Sequence, residues 1–412
     1  MKQHALTVIA KIDSVKAETN RLIEVLDIIG HDIRGTAHGE RQNTYIDFSR
    51  LQTVHFMRWV LIPNDVAGTW DYLLFTTNHD GDPDTHLQEL IAHGGLALDL
   101  IFGSCVGYPG SRTTDPAGFF RDFRRFILAN SVENETFYLG YRGETVGRVH
   151  GYISIRKQLQ DIFDLPDIQR FAALRLEPLL REFPVRPGLH PLLVRFGDAI
   201  GLVGKVIVFV FDVIFQLIYT FLIRPVRRLL MRREPKLDLV LIDDQVRPGV
   251  EAIEDVVTQN QMTVISRIKP GILPLVRLKL ALLLIELVAK HFLNKGSLGG
   301  IITIHFARWV ILDHGRYLFF ESNYDGSWES YIGEFVDKAA SGMDLIWTAT
   351  PGYPEKGAYD FEAFKSIIRR NQLKTQVFYS AYPDTTVRNI LNDREISRAL
   401  DQTQIREWLK RF

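Results

Sequence analysis

Two sets of the same three side chains stand out for chemistry: His55, Arg58 and Asp80, then His305, Arg308 and Asp325. Imidazole serves as a metal or haem ligand or as a general base, guanidinium holds anions, and carboxylate orients either neighbour. In each set the histidine and arginine share an apolar stretch, His55-Phe56-Met57-Arg58-Trp59-Val60-Leu61-Ile62 or His305-Phe306-Ala307-Arg308-Trp309-Val310-Ile311-Leu312. Read as strands, these put His305, Ala307, Trp309 and Ile311 on one face and Phe306, Arg308, Val310 and Leu312 on the other. An arginine among apolar neighbours needs a counter-charge, so the expected pairs are Arg58 with Asp80 and Arg308 with Asp325. Because both copies keep the pair, it reads first as a fold-defining salt bridge. The histidines read as satisfied strand residues or as ligands.

Other catalytic signatures are missing. The chain has no Gly-rich phosphate loop, no His-Glu-x-x-His, no nucleophile elbow and no cysteine cluster. Its one cysteine, Cys105, is matched in the second copy by Thr350, which argues against a thiol nucleophile. With 49 basic and 49 acidic residues the chain has no global field for nucleic acid, and its 46% hydrophobic content suits a folded protein. The first residues read as a strand rather than a signal peptide, so a cytoplasmic face is expected.

The elements that must position these residues also occur twice. Leu6 aligns with Met262, His55 with His305, Asp80 with Asp325, Tyr108 with Tyr353 and Phe137 with Phe378, an offset that shrinks from 256 to 241 residues. Changes confined to loops explain the drift. Each copy reads as a strand, a helix over 14–33 or 271–293, a hairpin of two strands, a second helix from near Thr85 or Ser327, and a strand over 98–106 or 343–350. Asn78-His79-Asp80-Gly81 and Asn323-Tyr324-Asp325-Gly326 read as tight turns. Gly-Tyr-Pro loops follow, with Tyr108 and Tyr353 as candidate ligand contacts. A tail of helix, strand and helix carries Phe137-Tyr138 or Phe378-Tyr379 on its strand. The fold class expected is α+β: two tandem ferredoxin-like β-α-β-β-α-β repeats, residues 1–162 and 261–412, their sheets packed face to face or edge to edge around a common core and separated in sequence by a helical insertion at 163–260.

The insertion holds the most apolar stretch, an expected helix within 200–223. Along it Lys205, Asp212, Gln216 and Tyr219 trace one polar stripe. An aspartate in hydrocarbon costs roughly 2.5–3.5 kcal/mol, so the stripe should face protein, another subunit or water. Arg224, Arg227, Arg228, Arg232 and Arg233 follow in a basic run at 224–236 that suits an anionic leaflet. Two copies that pair must lie on one side of a membrane, which favours an in-plane or re-entrant helix; burial in the protein is the other reading. The helix at 271–293 is far more apolar than its first-copy counterpart and is expected to be covered by the insertion.

The twin layout resembles the dimeric α+β barrel superfamily, which includes dye-decolourising haem peroxidases, chlorite dismutases and small monooxygenases. The Asp-Gly pairs at 80–81 and 325–326 match part of the peroxidases' Gly-x-x-Asp-Gly motif, without its first glycine. The second half is also similar to bacterial proteins of unassigned activity. The resemblance implies a haem cofactor with His305 or His55 as the iron ligand. Three functions are expected from these features: a membrane-associated protein that binds a lipid, quinone or similar hydrophobic small molecule between its sheets; a haem-dependent peroxidase-type oxidoreductase; and a non-catalytic membrane scaffold. Self-association through the apolar helix would suit any of them.

Overall fold

The computed structural model describes residues 2–37, 45–63, 70–110, 116–163, 254–255, 257–291 and 298–399, with residues 213, 214, 217 and 221. The first copy runs β1 (Gln3–Lys11), α1 (Ser14–Thr19), α2 (Leu22–Ala37), β2 (Val54–Pro63), β3 (Trp70–Asp80), α3 (Pro83–Gly103), α4 (Pro116–Ala129), β4 (Thr136–Leu139) and α5 (Val146–Phe163). The second runs β5 (Gln259–Arg267), α6 (Ile272–His291), β6 (Ile304–Leu312), β7 (Tyr317–Asp325), α7 (Trp328–Trp347), α8 (Phe361–Asn371), β8 (Thr375–Ser380) and α9 (Val387–Ala399). The duplication read from the residues is therefore a duplication of elements.

Two four-stranded antiparallel sheets result, in the orders β1-β3-β2-β8 and β4-β6-β7-β5, so each copy supplies one strand to the other copy's sheet. The residues leading into each exchanged strand bond the sheet they leave. Val132 N donates to Thr7 O of β1 at 2.9 Å, and Leu373 N donates to Thr263 O of β5 at 2.8 Å. The segments 98–106 and 343–350, expected as strands, instead continue α3 and α7 or lie in the turns beyond them. Leu98, Ile101 and Phe102 are buried at helical spacing, and a short apolar run of this kind is compatible with either state until its partners are known. The fourth strand of each sheet arrives from the other copy.

The sheets pack face to face through Ile9, Val60, Ile62 and Leu74 of one and Ile265, Val310, Leu312 and Phe319 of the other. Their outer faces are covered by helices. Trp59 and Phe75 meet α2, α3 and α4 through Leu26, Ile101, Phe102 and Phe123, and Trp309 and Phe320 meet α6, α7 and α8 through Leu282, Ile346, Trp347 and Phe364. Asp82 caps α3, accepting from Thr85 N, with Pro83 in the first turn; Ser327 caps α7 as its sequence suggests, accepting from Ser330 N.

The chain divides into two compact units. The first, Met1–Val146 with Ile223–Val387, holds both sheets. In the second, Gly147–Leu222 with Arg388–Phe412, Arg156 Nε pairs with the buried Asp393 carboxylate at 2.9 Å. Among the described residues no helix is long and apolar enough to cross a membrane. Lys205, Asp212, Gln216, Tyr219, Arg224, Arg227, Arg228, Arg232 and Arg233 lie outside the described residues.

Candidate functional site

Between the sheets a hydrogen-bonded chain runs from one copy to the other. Asp80 Oδ1 meets His55 Nε2 at 3.1 Å, and His55 Nδ1 meets the Tyr382 hydroxyl at 2.6 Å. The Tyr382 and Tyr141 hydroxyls are 2.7 Å apart; Tyr141 meets His305 Nδ1 at 2.9 Å, and His305 Nε2 meets Asp325 Oδ1 at 2.7 Å. The ends are tied in the same way. Asp80 Oδ2 accepts from Val146 N and Asp325 Oδ2 from Val387 N, each at 2.8 Å. All six side chains are buried.

Local backbone explains the convergence. The pairing of β2 with β3 shifts between Val54 and Phe56, and that of β6 with β7 shifts between Ile304 and Phe306, so each histidine is the extra residue of a bulge. A bulge re-aims a side chain. Strict alternation put His305 on the face opposite Arg308; the bulge instead turns its ring toward Phe56 and Tyr382 in the space between the sheets. Tyr141 and Tyr382 sit just beyond the exchanged strands β4 and β8, which carries each phenol to the histidine of the other copy. Sequence reading passed over these tyrosines. The signal was present, since they stand at the same 241-residue offset as Phe137 and Phe378.

The arginines do not pair with Asp80 and Asp325, the partners expected from their need for a counter-charge. Each crosses to the opposite sheet. Arg58 donates to Met262 O at 3.1 Å, Thr263 Oγ1 at 2.9 Å, Ser322 O at 3.2 Å and the Asn323 side-chain oxygen. Arg308 donates to Leu6 O at 2.6 Å, Thr7 Oγ1 at 3.0 Å, Thr77 O at 2.9 Å and the Asn78 side-chain oxygen. Asn78, Asp80 and their counterparts are strand ends rather than turn residues, and the turning residues are Gly81 and Gly326, both at positive φ. The two guanidiniums share one carboxylate: Glu321 Oε1 lies 3.8 Å from Arg58 Nε and 3.3 Å from Arg308 Nη2. In the register Arg308 faces Glu321, whereas Arg58 faces Thr76. Burial draws Arg58 down to about 10, which leaves it charged at neutral pH.

Tyr108 and Tyr353 are tied to the helices that precede their loops, their hydroxyls donating to Asp99 Oδ1 of α3 and Asp344 Oδ1 of α7 at 2.5 Å. Cys105 is buried, and the loss of solvent pushes its thiol up to about 12, which suits packing and not nucleophilic attack.

The haem expectation does not fit these residues. Both nitrogens of His55 and of His305 already face partners in buried positions, so neither ring offers one to iron. Among the described residues no group of three histidine, cysteine, aspartate or glutamate side chains is placed to hold a metal ion. What the chain of side chains can do is move a proton between a phenol and an imidazole that a carboxylate steadies from behind. Burial holds the Tyr141 and Tyr382 hydroxyls well above the ordinary phenol range, which disfavours free phenolate. No protein-family model, curated protein or solved structure matches this chain.

One glycine sets the approach of a tyrosine to this site. Gly140 N donates to His305 O at 2.7 Å, and a Cβ on Gly140 would stand 2.4 Å from Ile304 O. The obstacle is backbone. Its counterpart is Ala381, which donates to His55 O at 3.0 Å, so the second copy accommodates the methyl group that the first excludes. Gly140→Ala is therefore expected to cost about 1–3 kcal/mol by prying β4 from β6. Urea unfolding checks this, and a midpoint equal to that of the parent would show that the strands close again around the methyl group.

Proposed function

We propose that this chain works at a membrane surface, with the outward face of α6 in contact with lipid. The supporting observation is the exposure of Leu273, Leu280 and Leu284 at 67%, 45% and 52%, although Leu278, Leu282 and Leu287 on the inner side of the same helix are buried. With the exposed Arg277 these leucines recur at spacings of four, three and four and form one stripe. The sequence had suggested that this helix is covered. A lipid headgroup and acyl boundary covers such a stripe and receives Arg277 at the interface, and burying each half-exposed leucine contributes roughly 1 kcal/mol. The basic run at 224–236 adds attraction to anionic lipid.

Each copy is taken as a ferredoxin-like unit whose fourth strand comes from its twin, in keeping with the dimeric α+β barrel superfamily. The apolar partner is placed on the outside of the molecule. Among the described residues, the space between the sheets is occupied by aliphatic and aromatic side chains, by the two arginines and by the histidine–tyrosine chain.

Flotation of the full chain with vesicles of phosphatidylserine and phosphatidylcholine tests the proposal. The parent should float, less so in high salt, and Leu280→Glu/Leu284→Glu should reduce the bound fraction at least tenfold. A parent that stays in the dense fraction ends the membrane reading, and a double variant that floats as well as the parent ends the role of α6.

A further inference from the structure

We propose that Tyr382 is a one-electron redox site, with His55 as the acceptor of its proton and Tyr141 as the donor that steadies the oxidised oxygen. The first ground is a count of protons. Among the described residues five polar contacts link Asp80 to Asp325, and Gln3 Nε2 lies 3.4 Å from His55 Nε2, farther than the 3.1 Å of Asp80 Oδ1. With both carboxylates ionised and both imidazoles neutral, two imidazole N–H and two phenol O–H groups serve those five contacts. If each imidazole gives its Nε2 proton to aspartate, both Nδ1 atoms are acceptors, and the two hydroxyl protons must be shared among three gaps. The His55–Tyr382 gap, 2.6 Å, is shorter than the Tyr141–His305 gap, 2.9 Å, so it holds one of them. Tyr141 then donates to Tyr382 across 2.7 Å.

That arrangement is matched to the loss of an electron. A high-potential outer-sphere one-electron oxidant removes one electron from the Tyr382 ring and is itself reduced by one electron. The phenolic O–H bond breaks, its proton forms an N–H bond at His55 Nδ1, and a neutral phenoxyl radical remains. No proton leaves the protein. His55 becomes an imidazolium whose Nε2–H faces the Asp80 carboxylate, so the new charge arises beside an existing opposite one. The radical oxygen keeps the hydrogen bond from Tyr141. The return of one electron reverses each step.

A second, independent ground is the packing around the ring. Tyr382 meets Phe56 at 5.7 Å between centroids, and Phe56 stacks on Phe378 at 6.0 Å. Phe378 is half-buried on β8, so contiguous rings lead from the buried phenol toward the surface while excluding water and thiols from the radical.

Flash oxidation of the full chain with photogenerated tris(bipyridine)ruthenium(III), followed by electron paramagnetic resonance, tests the assignment. The parent should give a neutral tyrosyl signal that outlives the radicals of exposed tyrosines such as Tyr359. Tyr382→Phe should reduce that long-lived signal at least tenfold, and Tyr359→Phe should leave it in place. Tyr141→Phe keeps the Tyr382–His55 contact and should keep the signal with a higher largest g value, because one hydrogen bond to the radical oxygen is lost. This variant also serves if Tyr382→Phe does not fold. The proposal is overturned if the parent yields no long-lived signal, if the signal survives in Tyr382→Phe, or if Tyr141→Phe abolishes it or leaves its g value unmoved.

Discussion

Replacement of Glu321 by alanine is expected to cost about 3–5 kcal/mol, the largest single-residue effect in the sheet-bearing unit. The reason is the ratio of charges. Arg58 and Arg308 are both fully buried, both stay cationic at neutral pH, and both lie within 4 Å of the same carboxylate oxygen. Neutral oxygens of the opposite sheet satisfy the guanidinium hydrogens but supply no counter-charge. Each arginine also lies against a ring of an exchanged strand, Arg58 over Phe378 at 5.5 Å and Arg308 over Phe137 at 5.9 Å, a weaker cation–π contribution. Without Glu321, two like charges face each other in low dielectric. Urea unfolding followed by the fluorescence of Trp59 and Trp309 measures the loss. Glu321→Leu combined with Arg58→Met and Arg308→Met should recover most of it, because an apolar cluster of similar volume replaces the ionic one. A loss below about 1 kcal/mol in Glu321→Ala would show that water reaches the guanidiniums and that the cluster is less closed than its geometry implies.

The second large effect is on acid stability, and it comes from the first copy alone. His79 and His86 stack in parallel at 3.9 Å, and Thr77 Oγ1 touches both, His86 Nε2 at 3.0 Å and His79 Nδ1 at 3.2 Å. At the equivalent positions Tyr324 and Tyr331 stack at 3.8 Å, with Ser322 Oγ bonded to the Tyr331 hydroxyl at 2.6 Å. Burial lowers His86 to about 3, and burial together with the neighbouring His86, His4, Arg308 and His55 lowers His79 as well. Both are therefore neutral in the fold and able to bind protons once it opens. For a histidine depressed in the folded state, stability is complete above the unfolded value of about 6.5 and declines as pH falls toward the folded value. His86 alone thus removes roughly 4 kcal/mol between pH 6.5 and 3. The variant His79→Tyr/His86→Tyr copies the solution already used in the second copy and should flatten that limb of the stability–pH curve. Equal slopes for parent and variant over that window would mean that other groups drive the acid transition.

Much of the architecture was legible in the residues because repetition filters noise. Two occurrences of a His-Phe-x-Arg-Trp strand, an Asp-Gly turn and a Phe-Tyr strand located β2, β3 and β4 and their twins. The duplication also marked His55, Arg58, Asp80 and their partners as residues to watch, and all of them are buried between or beside the sheets. Partner choice was not legible. The need for a counter-charge sent arginine to aspartate, whereas bulges at Val54–Phe56 and Ile304–Phe306 turn the histidines onto Asp80 and Asp325 and leave the arginines to the opposite sheet. A bulge is one added residue in a ladder, and it leaves no composition to read.

The sequence alone determined that a similar order of strands and helices is present twice, because helical and strand spacing and turn chemistry are local properties that each copy carries for itself. Tertiary structure decided which copy completes which sheet. The exchange of β4 and β8 depends on pairing between residues more than 150 positions apart, as with Phe137 against Arg308 or Phe378 against Arg58. The candidate site exists only through that exchange. Tyr141 reaches His305 and Tyr382 reaches His55 across the two copies, and no pattern within either copy specifies a hydrogen bond between them.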